Sequence, residues 1–89
     1  MKILIVEDNT ANMKLVSDLL KREGHVVFEA ADADAGIALA KMEAPALILM
    51  DIQLPGMDGV AALRLLKQDE KTRHIKTIAL TALAMSGDK

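Results

Sequence analysis

The sequence predicts an α/β fold, a doubly wound parallel sheet with helices on both faces, and two observations carry that expectation. Short apolar runs at residues 3–6, 26–30, 46–50 and 77–81 alternate with segments of helical period. Strands alternating with helices of about 10 to 15 residues indicate right-handed βαβ units. In addition, two of the runs end on acid: Ile3-Leu4-Ile5-Val6 runs into Glu7-Asp8, and Leu47-Ile48-Leu49-Met50 runs into Asp51. Ligands of open α/β sheets bind beyond the carboxyl ends of the strands, so acids at those ends are placed for chemistry.

Each element has its own signal. Residues 3–6 are apolar on both faces, as a buried parallel strand requires. From Asn9 the period becomes helical, with Met13, Val16 and Leu20 on one stripe and Leu15 and Leu19 beside it. Asn9 or Thr10 can cap the start, and Gly24 supplies the stop. A second strand covers 26–30. Asp32 or Asp34 then caps a helix carrying Ala35, Ile37, Ala38, Leu39 and Met42, which ends before Pro45. The third strand, 46–50, leads through the turn at 54–59 to a helix that Asp58 can cap. That helix bears Val60, Leu63, Leu66 and Lys67 and reaches about Glu70. The fourth strand, 77–81, ends on the hydroxyl of Thr81.

Composition bounds the function. The chain has 89 residues, enough for one domain whose folding hides somewhat more than ~60% of the unfolded surface. It is 52% hydrophobic and 27% charged with a single aromatic, Phe28, so aliphatic side chains must build the core. The net charge of −2, without a basic stripe or interleaved aromatics, argues against direct nucleic-acid binding. The absence of cysteine excludes disulfides, thiolate metal sites and a thiol nucleophile, and suits a reducing cytoplasm. The apolar run after Lys2 is too short for a signal peptide, and none approaches the ~20 residues of a membrane span. A soluble, cytoplasmic protein is expected.

If the first and third strands are parallel neighbours, Glu7, Asp8 and Asp51 converge. Converging carboxylates repel, and a hard divalent cation with oxygen ligands relieves them, Mg²⁺ being the obvious one. Read singly, each acid has a blander role: Asp51 as a solvent-facing acid after a core strand, Glu7 and Asp8 as a turn favourable to the following helix dipole. Asp58 reads as a helix cap and Pro55-Gly56 as a turn. His25 and His74 lack partners at ligand spacing and read as surface residues, and Met13, Met42, Met50, Met57 and Met85 as core and loop fillers.

The segments ILIVEDN at 3–9, LILMDIQLPGMDG at 47–59 and ALTA at 79–82 together resemble the receiver domain of bacterial two-component response regulators, with the style of the single-domain receivers of the DivK type. The resemblance spans the chain and implies a flavodoxin-like sheet. By it, Asp51 is the phosphoacceptor for a histidine kinase or histidine phosphotransferase. Asp8 is a direct Mg²⁺ ligand, Glu7 acts through water, and the Gln53 backbone carbonyl is a further ligand. Thr81 is the switch hydroxyl, and Gln53 and Leu83 are positions that tune the lifetime of the phosphorylated state. Asn12, Leu15 and Leu19, outside the core stripe of the first helix, either form the face that docks the phosphodonor, as the resemblance implies, or finish the core packing. The module is thus expected to be a phosphorelay switch acting through protein contacts, not a turnover enzyme.

The family pattern also includes a fourth helix, a fifth strand bearing a lysine, and a fifth helix, none of which lies within residues 1–89. Lys89 does not take that lysine's role. The expectation is therefore a receiver incomplete at its C-terminal side, with Ile78 and Leu80 on an apolar strand edge open to homodimerisation or strand exchange. Two other functions are compatible with the pattern: a phosphorylation-independent interaction or assembly module with a silent pocket, and an aspartyl phosphatase. The latter is disfavoured because such enzymes carry a second acid where this chain has Gln53.

Overall fold

The structure is a computed structural model that describes residues 1–51 and 59–79. Its elements run β1 (Lys2–Val6), α1 (Thr10–Arg22), β2 (Val26–Ala30), α2 (Ala33–Glu43), β3 (Leu47–Met50), α3 (Gly59–Gln68) and β4 (Lys76–Ala79). All strand pairs are parallel, in the order β2-β1-β3-β4. The doubly wound α/β sheet expected from the sequence is therefore present.

Side-chain alternation along the strands divides the interior into two cores. Ile5, Val27 and Leu49 point to one face, where Met13, Val16 and Leu20 of α1 cover them. Leu4, Val6, Phe28, Ile48 and Met50 point to the other, against Ala33, Ile37 and Ala40 of α2 and Ala62, Leu63 and Leu66 of α3. Phe28 supplies the one aromatic ring to this second layer.

Local chemistry fixes the ends of the helices. Asn9 is the N-cap of α1, its side chain accepting from the Asn12 N–H at 2.9 Å. Gly24, with φ of 89°, takes the left-handed conformation after the helix. Of the two candidate caps for α2, Asp32 is used, accepting from the Ala35 N–H at 2.8 Å. Ala44 closes α2 in a left-handed conformation immediately before Pro45.

Three expectations need correction. The stripe assigned to α2 included Ala35, Ala38 and Met42, all of which are exposed, Met42 at 73%. The buried stripe is Ala33, Gly36 and Ala40. The fully buried contact line holds only the smallest residues, while Ile37 and Leu39 of the expected stripe pack half-buried at its flanks. The helix expected to reach Glu70 stops at Gln68, because the chain turns there: Thr72 Oγ1 donates to the Leu66 carbonyl at 2.6 Å and Asp69 accepts from the Lys71 N–H at 2.8 Å. β4 begins at Lys76, one residue early, and its register pairs Lys76 with Leu47. The expected ends of β4 at Leu80 and Thr81 lie outside the described residues, as do the turn at 54–58 and the Asp58 cap. Ile78 of the proposed apolar edge is 44% exposed.

Candidate functional site

Parallel register brings the acids together. Val6 stands opposite Met50 on β3 and Ala30 on β2, so Glu7 and Asp51 leave the sheet side by side at its carboxyl end. The Val6 carbonyl accepts from the Asp51 N–H at 2.9 Å, and the Glu7 N–H donates to the Ala30 carbonyl at 3.0 Å. Glu7, Asp8 and Asp51 each present one carboxylate oxygen within 4.8 Å of the others. The convergence anticipated from two strand ends is thus realised.

The three acids occupy different environments. Glu7 is 5% exposed, Asp51 is half-buried and Asp8 is exposed. Burial pushes the Glu7 carboxyl above its ordinary value. The Asn9 N–H, donating to Glu7 Oε2 at 3.0 Å, opposes that shift, while the Asp51 carboxyl alongside and the charge of Asp8 reinforce it. Beside them a cleft of about 250 Å³ is lined by Glu7, Asp8, Thr10, Met13, Glu29, Ala30 and Ala31.

This donor set fits a hard divalent metal. It offers only oxygen, it concentrates negative charge, and the least solvated of its acids resists ionisation without a counter-charge. Glu7, Asp8 and Asp51 are the residues that could hold such an ion. Gln53 and Thr81, assigned to the site from the sequence, lie outside the described residues, as does Leu83. Asn12 is half-buried on α1, and Leu15 and Leu19 are 58% and 53% exposed on the same helix.

Two contributors escaped sequence reasoning. Asn9 reads in the sequence only as a cap, yet its N–H also steadies Glu7; the two-residue spacing in Glu7-Asp8-Asn9 is the one hint of that reach. Glu29 lines the cleft from β2, and nothing in its own strand marks it.

A parallel sheet with helices on both faces and a carboxylate triad at its carboxyl edge defines the class: a doubly wound domain with an acidic cluster that could hold a cation beside an aspartate. The model of the response regulator receiver domain matches residues 3–89, and the chain belongs to that family, whose members are phosphoacceptor domains of two-component signalling. Among curated relatives it is similar to the polar-differentiation response regulator DivK of Brucella ovis, with 46% identity over 87 residues, covering 98% of this chain and 71% of the relative. The counterpart from Brucella anthropi is 45% identical over the same lengths. Among solved structures, the receiver domain of a Pseudomonas aeruginosa sensor histidine kinase superposes with a TM-score of 0.87 at 38% identity, covering 98% of this chain and 71% of the other. That structure holds a magnesium ion in its active-site cleft. A chemotaxis response regulator of Vibrio cholerae, at 24% identity and a TM-score of 0.84 over 88% of this chain and 65% of its own, shares the fold. No helix among the described residues is long and apolar enough to cross a membrane.

Proposed function

We propose that the chain accepts a phosphoryl group on Asp51 from a phosphohistidine of a sensor kinase or phosphotransferase, in a Mg²⁺-dependent reaction, and that this switches its protein contacts. The observation that carries the proposal is the meeting of Asp51 with Glu7 and Asp8 at the carboxyl edge of the sheet. In the step, a carboxylate oxygen of Asp51 attacks phosphorus. The new P–O bond forms as the P–N bond breaks, and the imidazole leaves with the bonding pair and takes up a proton. Magnesium bound at the site would neutralise charge spreading over the phosphoryl oxygens. Asp8 and Glu7 would hold that ion, and the Val6 carbonyl fixes the backbone of the nucleophile through the Asp51 N–H.

The product is an acyl phosphate with about −1.5 to −2 charge and three acceptor oxygens. Family resemblance supports Thr81 as the hydroxyl that would turn toward it, and the Gln53 carbonyl as a further metal ligand. The exposure of Leu15 and Leu19 on α1, the helix that also carries the half-buried Asn12, supports that face as the one that docks the helices of the phosphodonor.

Intact mass spectrometry with Mg²⁺ and acetyl phosphate tests the chemistry. One added phosphoryl group is expected, absent in Asp51→Asn and without Mg²⁺. Uptake that survives Asp51→Asn would overturn the assignment. For the docking face, Leu15→Ala should slow transfer from a phosphorylated partner while leaving stability and acetyl phosphate labelling unchanged.

A further inference from the structure

We infer that Gly36 is a positioning residue for the carboxylate site, setting the separation of Glu7 and Asp51 from the opposite side of β1. Its role toward the cation rests on the function proposed above; its mechanical role does not. Gly36 lies on the buried face of α2. A Cβ placed there would come within 2.7 Å of Val6 Cγ2 and 3.2 Å of Val6 Cγ1, the first being closer than packed carbon atoms can approach. Val6 has no room to yield. It is fully buried, its β-branched side chain has one strongly preferred rotamer, and the surrounding interior is close-packed.

The consequence reaches the site through a single peptide unit. The Val6 carbonyl and the Glu7 N–H belong to the same planar peptide, and both are engaged: the carbonyl takes the Asp51 N–H at 2.9 Å, and the N–H gives to the Ala30 carbonyl at 3.0 Å. Pressing on the Val6 side chain tilts that plane. The tilt moves the Glu7 carboxyl and loosens the bond that holds the Asp51 backbone. Glycine is an unfavourable helix residue, so its use in α2 is explained by the space it leaves for Val6 and not by the helix.

The test compares the full chain with Gly36→Ala, Val6→Ile and the double variant Gly36→Ala/Val6→Ala, with Ile75→Val as a core control at the far end of the sheet. Mg²⁺ affinity is titrated calorimetrically at a temperature where each is folded, and the backbone amide NMR shifts of Glu7 and Asp51 are recorded without metal. Gly36→Ala and Val6→Ile should each weaken Mg²⁺ binding about tenfold, the lower range for residues that act through a metal's ligands. The double variant, which removes the colliding methyl groups, should return to the parent affinity, and Ile75→Val should keep it. The two amide shifts should move in the single variants and return in the double.

Parent-like affinity in both single variants, or a double variant as weak as Gly36→Ala, would overturn the inference. Should Gly36→Ala not fold, Val6→Ile and the double variant decide it. If the parent chain binds no Mg²⁺, the metal reading fails by itself, and the amide shifts then decide whether Gly36 positions the acids: unmoved shifts in Val6→Ile and Gly36→Ala refute it.

Discussion

The backbone N–H of Asp51 donates a 2.9 Å hydrogen bond to the carbonyl oxygen of Val6, the residue before Glu7. One ladder bond thereby ties the ends of β1 and β3 and holds two acids at the same height. The sheet thus imposes a juxtaposition that the side chains themselves oppose, and the cost falls mainly on Glu7, the most buried of the three.

That cost gives a pH dependence of defined sign. The Glu7 carboxyl titrates above its ordinary 4.5 in the folded chain, so over the window that opens near that value the folded state binds more protons than the unfolded one. Stability of the metal-free protein therefore falls as pH rises through the window. Asp69, held below its ordinary 3.8 by the Lys71 N–H and by Lys41, acts at more acidic pH and in the opposite sense, its contribution being lost as pH falls. Denaturant midpoints measured from pH 4.5 to 8 should decline, and Glu7→Gln should flatten the decline and exceed the parent in stability at neutral pH. A parent curve that rises across this range would contradict the burial argument.

Divalent metal should reverse the penalty. A cation binding only the folded chain at a concentration a hundredfold above its dissociation constant stabilises it by about 2.7 kcal/mol, and in a domain of this size each kcal/mol moves the melting temperature by roughly 4–8 °C. The gain should grow above the Glu7 titration, because the ligands must be deprotonated to bind. Thermal melts with and without Mg²⁺ should show the shift in the parent and little of it in Asp8→Asn. An equal shift in both would remove Asp8 from the ligand set.

The sheet and the acids were legible in the sequence because their signals are strong: uninterrupted apolar strands, an abrupt step to acid, and helical periods between them. The buried stripe of α2 was not. Reading by hydrophobicity selects Met42 over Gly36, whereas close approach of helix to sheet selects by size, and that distance is a tertiary quantity. The choice between Asp32 and Asp34 as cap likewise depends on where β2 releases the chain. The second role of Asn9 arises from a backbone N–H, which every residue type but proline carries and which composition therefore hides.

The end of α2 offers a stabilising change. Ala44 sits at φ 46°, ψ 59°, a left-handed conformation that costs a residue bearing Cβ about 1–2 kcal/mol. Glycine removes the strain but gives the unfolded chain more freedom, offsetting about 0.5–1 kcal/mol. Ala44 is exposed, so no packing is lost. Ala44→Gly should raise unfolding free energy by about 0.5–1 kcal/mol in urea titration, with an unchanged m-value. A decrease would show that the unfolded-state effect outweighs the strain.

Ser17 offers another, for a different reason. Its side chain is buried in α1, and its hydroxyl has no hydrogen-bond partner among the described residues. A buried polar group left unpaired costs about 1–3 kcal/mol, and serine is also a poorer helix former than alanine by a few tenths of a kcal/mol, on the order of 0.5 at most. The void left by removing one oxygen is small, so the desolvation gain should dominate. Ser17→Ala should therefore stabilise the chain by about 1 kcal/mol, raising the melting temperature by roughly 4–8 °C, with Mg²⁺ affinity and Asp51 labelling unchanged. A fall in stability would mean that the hydroxyl does find a partner in solution. The Met13 carbonyl, one turn earlier in α1, is the acceptor that helix geometry puts nearest, and Ser17→Thr, which keeps the hydroxyl, would then retain more stability than Ser17→Ala.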